Sequence, residues 1–270
     1  MAVNDFLGHL NAMIKKERIV FTRYPVRILA SITTPLFFIF IMGFSISSYS
    51  STPGGSAIVV SMFISIIGLV YLTIAPYAAQ AVIEDQQQGT IESLFLAPVP
   101  KFTDILAKMI VRYSFVTLTI FVYYALLWYL FGEFTLNNVG LGIILVISLI
   151  GESLSFSFIL AGLTLKYKET AARIGGLIPF IALIFSGMFI PISALPQNAK
   201  IISLLLPFTY SIDAIRGAMA PSSALIVTII PLHAEVILSI LLGFILPIIG
   251  ALYYLRVERS ARYTGTLLEY

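Results

Sequence analysis

The chain has 270 residues, of which 59% are hydrophobic and 11% charged, with a formal net charge of +3. A soluble domain carries about 25% charged residues, so charge this sparse cannot cover a water-facing globule and lipid must solvate much of the surface. There is no cysteine, which excludes a disulfide framework, a thiolate metal site and a cysteine nucleophile; the two histidines, His9 and His233, stand too far apart in sequence to suggest a metal cluster.

Residues 1–25 come first. Phe6, Leu10, Met13, Ile14, Val20, Phe21 and Tyr24 fall near one face at helical spacing, while His9, Lys15, Lys16, Arg18 and Thr22 fall elsewhere. The pattern predicts an amphipathic helix in the membrane interface, basic residues toward anionic headgroups, ended by Pro25. Its charges interrupt any apolar core of signal-peptide type, so insertion is expected through the first true span. A plain surface anchor and a contact with a partner both fit this helix.

A membrane-spanning helix needs about 20 mostly apolar residues at about 1.5 Å each. Six segments qualify: Ile28–Ser48, Ala57–Ile83, Met109–Phe131, Val139–Leu165, Ile174–Ile192 and Glu235–Leu255. Pro35, Pro76, Pro179 and Pro247 interrupt four of them and mark bends whose freed carbonyls neighbouring helices must satisfy. With both termini cytoplasmic, 14 of the 16 Lys and Arg lie inside, and only Lys200 and Arg216 outside. The positive-inside rule therefore fixes that orientation. Gly43, Gly175 and Gly176 offer close helix approach.

The loop after the second span, residues 84–100, contains a short helix. Gly89 allows a bend, Thr90 caps, Glu92 sits in the first turn where the dipole favours an anion, and Pro98 and Pro100 stop it. Ile91, Leu94 and Phe95 share one face, the spacing of a docking ridge. Two turns are not stable alone, so a partner or the bundle itself must hold them.

On the outer side, residues 193–233 contain two apolar pieces, Gln197–Leu206 and Phe208–Met219, parted by Pro207 and each too short to cross. They read as a re-entrant helical hairpin, with Asp213 and Arg216 three apart and placed for a local ion pair. One intramembrane carboxylate stands out, Glu152 in the fourth span, with Ser148, Ser153, Ser155 and Ser157 nearby. Three readings compete for it: a structural hydrogen-bonded cluster, a substrate path or gate, and a proton relay. Glu235 is expected at the outer interface, near His233.

No phosphate-binding, zincin or nucleophile-elbow motif occurs in the sequence. Energy for any active process must come from a partner or an ion gradient. The absence of an evident internal repeat argues against the repeated folds of secondary transporters, and no linker divides the chain. The fold expected is therefore all-α and integral to the membrane, a single domain over 1–270: interface helix 1–25, six-helix bundle 28–255 and cytoplasmic tail 256–270.

Gly89-Thr90-Ile91-Glu92-Ser93-Leu94-Phe95-Leu96-Ala97-Pro98-Val99 resembles the cytoplasmic loop of ABC-2 type permeases, the membrane subunits of type V ABC exporters. Ser186-Gly187-Met188-Phe189-Ile190-Pro191, Leu195-Pro196, Leu206-Pro207-Phe208-Thr209-Tyr210, Asp213 and Arg216 are similar to that family's outer-segment pattern. Gln86, Gln87 and Gln88 stand where the family carries more charge. The resemblance implies a permease coupled to a separate ATPase, with Gly89, Thr90, Ile91, Glu92, Leu94, Phe95 and Pro98 in the ATPase-coupling helix. It implies that ATP and Mg are bound by the ATPase, with no cofactor or metal in this chain, and that the path forms between two permease copies, identical or not. Glu152, Ser153, Phe180 and Phe189 are candidates for that path, and Pro207, Tyr210, Asp213 and Arg216 for the hairpin.

The expected activity is outward movement of a lipophilic or amphipathic substrate (drug, lipid or lipid-linked glycan) across a plasma or inner membrane, with lipids but no nucleic acid as further partners. The 20 Phe and 14 Tyr favour such cargo over small ions. A gradient-driven transporter or channel using Glu152, and a membrane scaffold or sensor that transports nothing, are the alternatives.

Overall fold

The computed structural model describes residues 3–23, 55–88, 101–131, 136–188, 192, 195–219 and 230–264, and none of these is in a strand. The expected first span and the loop helix at 90–96 lie outside them. Four helices are long and apolar enough to cross a membrane: Phe63–Gln87, Lys101–Leu126, Val139–Tyr167 and Leu232–Ala261.

Helix α1 (Val3–Arg23) lies along the first half of the long helix Lys101–Phe131. The rings of Phe21 and Phe115 are 4.2 Å apart, and Lys16 reaches Asp104 at 3.7 Å. Its half-buried face holds Phe6, Leu10, Met13, Ile14 and Phe21 as expected, but also His9 and Glu17, while Val20 is exposed. The contact stripe follows the helical period through Glu17 to Phe21, and Val20 lies one step off it.

The second span is two helices, α2 (Gly55–Leu72) and α3 (Ala75–Gln87). The break falls where Pro76 has no N–H to offer the Leu72 carbonyl. Ser153 donates to the adjacent Tyr71 carbonyl at 2.7 Å. Helix α4 (Lys101–Phe131) begins well before the expected Met109, because its polar first turns are held by ion pairs that a hydropathy reading cannot see. At 31 residues it is about 46 Å long. It runs antiparallel to α2–α3: Tyr124 packs on Phe63 and Tyr113 on Tyr71, with ring centroids 5.9 and 6.3 Å apart.

Helix α5 (Val139–Tyr167) is the centre of the bundle. The expected single span at Ile174–Ile192 is instead two short helices, α6 (Glu169–Gly175) and α7 (Ile178–Phe185), ending at a Ser186–Gly187 turn. Pro179 cannot donate to the Gly175 carbonyl, which breaks the helix there. The hairpin helices α8 (Gln197–Leu205) and α9 (Pro207–Met219) meet at 91°. Helix α10 (Leu232–Thr264) continues past Leu255, so the expected tail is helical through Thr264.

Helices α5 and α10 run parallel and touch closely. Ser148 donates to the Ser239 carbonyl at 2.6 Å, and one heptad further on both helices Ser155 donates to the Leu246 carbonyl at 2.7 Å. Between these bonds Gly151 faces the Gly243 carbonyl, where an added Cβ would sit 2.0 Å from the oxygen. Sequence alone points to Gly43, Gly175 and Gly176 rather than to this contact. Gly151→Ala is expected to destabilise the purified full chain by about 1–3 kcal/mol, the cost of overpacking, read as a lowered thermal midpoint. Gly140→Ala, with nothing within 4 Å of the added carbon, should leave the midpoint unchanged.

Candidate functional site

The α8–α9 hairpin is where motif residues distant in sequence meet. Gly187, at φ 76°, turns the chain after α7 and leaves the carbonyls of the turn outside any helix. Arg216 of α9 serves them: its Nη2 donates to the carbonyls of Gly187 and Met188, both at 3.0 Å. The same nitrogen reaches Ser65 Oγ of α2 at 3.1 Å, and Ser65 in turn donates to the Met188 carbonyl. The expected pair with Asp213 is present but long, at 3.5 Å. Arg216 is therefore chiefly a fork joining α9, α7 and α2. Sequence reasoning missed the carbonyls and Ser65, although the Ser-Gly-Met and Asp-x-x-Arg pieces occur in one motif.

The Leu-Pro-Phe-Thr-Tyr stretch makes the hairpin bend by the same logic. Pro207 cannot donate to the Ser203 carbonyl, and Thr209 Oγ1 does so at 2.7 Å. Tyr210 Oη donates to the next carbonyl, Leu204, at 2.8 Å. Both motif hydroxyls thus bond carbonyls at the end of α8, where the helix stops before the proline.

Glu152 lies fully buried on the other side of α9. Its Oε1 accepts from Ser211 Oγ at 2.6 Å, and Ser211 lies 2.6 Å from Ser239 Oγ of α10. With Ser211 donating to the carboxylate, Ser239 must donate to Ser211. Oε2 has no hydrogen-bond partner among the described residues. Ser153, also fully buried, turns away toward Tyr113, which donates to it at 2.8 Å. Phe180 is 64% exposed on α7. The path candidates Glu152, Ser153 and Phe180 are therefore not gathered around one space; Phe189 lies outside the described residues. Glu235, expected at the interface, is fully buried, and its Oε1 accepts from the Ile230 N–H at 3.1 Å, fastening the start of α10.

At the opposite end, charges gather around the base of the loop 89–100. Lys108 pairs with Asp104 at 2.8 Å and with Asp85 at 3.0 Å, joining the end of α3 to the start of α4. Asp104 also receives Lys16 of α1. Lys101 and Glu258 are buried beside them, Lys101 in the field of Asp85, Asp104 and Glu258. The expected coupling residues Gly89, Thr90, Ile91, Glu92, Leu94, Phe95 and Pro98 themselves fall outside the described residues. Nothing in the sequence reading anticipates this clamp around their base.

Long apolar helices fastened by buried polar contacts define a multi-pass membrane protein. The sequence profile of the family described as ABC-2 type transporter matches residues 8–220. The chain belongs to that family, a transport membrane domain that is not itself catalytic and usually works with an ABC ATPase subunit. No curated protein matches the chain.

Arg216→Gln removes the fork and leaves carbonyls unsatisfied, at about 1–3 kcal/mol for each buried group orphaned. The expected result is a lowered thermal midpoint of the full chain in detergent and a hairpin freed from α2. Arg216→Lys, which keeps charge but not the fork, should fall between. Because the chain lacks cysteine, a pair introduced at Gly68 and Ile212, where a Cβ built on Gly68 lies 3.1 Å from the Ile212 side chain, can report hairpin detachment by cross-linking yield.

Proposed function

We propose that the chain, as one domain over residues 1–270, is the membrane-spanning permease subunit of an ATP-driven exporter in a plasma or inner membrane. Six spans and two cytoplasmic termini are part of this reading. Parity supports them: α5 and α10 run parallel, so the chain between them crosses a net odd number of times. If α6–α7 crosses once, the 91° pair is a hairpin returning to its own side. The charge distribution supports the orientation, 14 of 16 basic residues falling on one side.

The observation that carries the reading is the ionic clamp. A lever needs a stiff base, and Asp85–Lys108–Asp104 joins both limbs of the 89–100 loop through pairs of which Asp104 is 1% exposed. A partner ATPase that binds ATP and Mg would engage Leu94 and Phe95 in a groove and move the loop when it closes. The clamp passes that motion to α3 and α4 together, and through Lys16 to α1. Two such permeases, identical or different, form the path. An apolar, aromatic-rich bundle suits a drug, lipid or lipid-linked glycan.

Replacing Leu94 and Phe95 with Asp in the full complex should lower ATP-dependent transport at least tenfold while the chain still inserts; unchanged transport and unchanged capture of the ATPase refute the lever. Lys108→Met, which keeps the apolar stem and removes the charge, should lower transport per ATP hydrolysed without loss of ATPase capture. Glu152→Gln, which keeps an acceptor for Ser211, should leave ATP-dependent transport within about twofold, as expected of a hydrogen bond worth about 1 kcal/mol.

A further inference from the structure

We propose that the cleft between α1, α3 and α4 binds the headgroup of a zwitterionic phospholipid from the leaflet at the chain's basic end, with Arg112 on the phosphate. The cleft is lined by Glu17, Val20 and Phe21 of α1, Tyr77, Gln80 and Glu84 of α3, and Arg112 of α4. The Arg112 guanidinium carbon lies 3.8 Å from the centre of the Tyr77 ring and 5.5 Å from that of Phe21. Stacking occupies the faces of the guanidinium and leaves its edge, a fork of N–H donors, unused. That fork makes no hydrogen bond or ion pair among the described residues. Donors held in such a cleft call for an acceptor from outside the chain, and a phosphate matches the fork with two parallel bonds.

Position identifies the source of the phosphate. One turn toward the end of α4 that holds Lys101 lies Lys108 in its ionic clamp, while Leu118 and Phe121 in the other direction are 61% and 64% exposed. Arg112 therefore stands at the border between charged and lipid-facing surface, the level of headgroups. Ile19 and Val20, beside the mouth of the cleft, are 54% and 39% exposed, apolar surface against which acyl chains can lie.

A carboxylate chooses the headgroup. Tyr77, Gln80 and Glu84 form one exposed or part-exposed stripe of α3, and Glu84 lies about 10 Å beyond Tyr77 along the helix at 1.5 Å per residue. Lys108 also lines the cleft, but Asp85 and Asp104 hold it, and Glu17 is paired with Lys16 at 3.4 Å. With Arg112 on the phosphate, Glu84 is left to face the amine of an ethanolamine headgroup, and it disfavours a headgroup of net negative charge and free anions. The site holds its lipid whatever cargo the permease carries.

The test releases the full chain from nanodiscs containing equal parts of phosphatidylethanolamine, phosphatidic acid and diacylglycerol with matched acyl chains, and counts retained lipid by native mass spectrometry. Phosphatidylethanolamine should be retained preferentially, at least tenfold less by Arg112→Gln, and to an intermediate degree by Arg112→Lys. Glu84→Gln should abolish the preference over phosphatidic acid while binding persists. Tyr77→Phe should retain lipid as the unaltered chain does, and Tyr77→Leu should lose it, which carries the test if Arg112→Gln fails to fold. Equal retention by Arg112→Gln, equal retention of diacylglycerol, or displacement of the lipid by millimolar inorganic phosphate would each overturn the proposal.

Discussion

A carbonyl that loses its helical N–H inside hydrocarbon must find another donor, because no water is there to replace it and each orphan costs several kcal/mol. Prolines and turns raise that requirement at several places, and polar side chains donate at or beside each of them. Next to the Leu72 carbonyl that Pro76 cannot serve, the Tyr71 carbonyl takes Ser153 as well as the Ile74 N–H. In α10, where Pro247 cannot serve the Gly243 carbonyl, Ser155 donates to the Leu246 carbonyl nearby. Ahead of Pro207 the Ser203 carbonyl takes Thr209, and in the turn after α7 the carbonyls of Gly187 and Met188 take Arg216. Apart from the local Thr209 bond, each donor comes from a different helix, so each bend in the backbone is also a cross-link between elements. Lipid tails do not drive apolar helices together as water does, and such bonds with close glycine contacts take over that part.

Helix α9 carries this constraint into motion. Ser211 and Arg216 project from different sides of it, one bound to Glu152 of α5 and the other to Ser65 of α2. The hairpin is a wedge between two parts of the bundle. Any change in the separation of α2 from α5 has to stretch one of these bonds or carry α9 along. Since α3 continues α2 past the break and ends in the Asp85 clamp, displacement at the base of the 89–100 loop and the seating of the outer hairpin belong to one mechanical path. Ser153 sits at its hinge.

Much of this was legible in the sequence, and the boundary is physical. Apolar runs and proline positions marked the places of the spans at residues 57–83, 109–131, 139–165 and 235–255 and of the two hairpin helices, because burial in lipid writes itself as composition. Helix ends were less legible: α4 starts at Lys101 because ion pairs hold its charged first turns, and α10 reaches Thr264 through turns too polar to read as a span. The fifth span's break was hidden because Gly175, Gly176 and Pro179 are each tolerated inside an apolar run. The hairpin motif flagged Arg216 but offered Asp213 as its partner, the nearest in sequence. A partner such as Ser65, 151 residues away, leaves no local signal. Glu152 was conspicuous from its charge alone, whereas Ser211 and Ser239, which fix what it does, look like ordinary serines.

The two ends of the bundle differ in how they are held, and this decides which end gives way. The clamp at the base of the 89–100 loop is ionic: Lys108 joins Asp85 and Asp104, and removing one partner from a buried pair costs about 3–5 kcal/mol. The seam at Glu152 rests on hydroxyl bonds, each worth about 0.5–3 kcal/mol. Even the Arg216 fork bonds mainly neutral acceptors, and its one carboxylate contact is the long one. The contacts costliest to break thus lie at the base of the 89–100 loop, and those that yield at least cost lie around α9. That order of strengths suits the exporter proposed above, in which work would enter at the base of the 89–100 loop, better than a uniformly fastened bundle would.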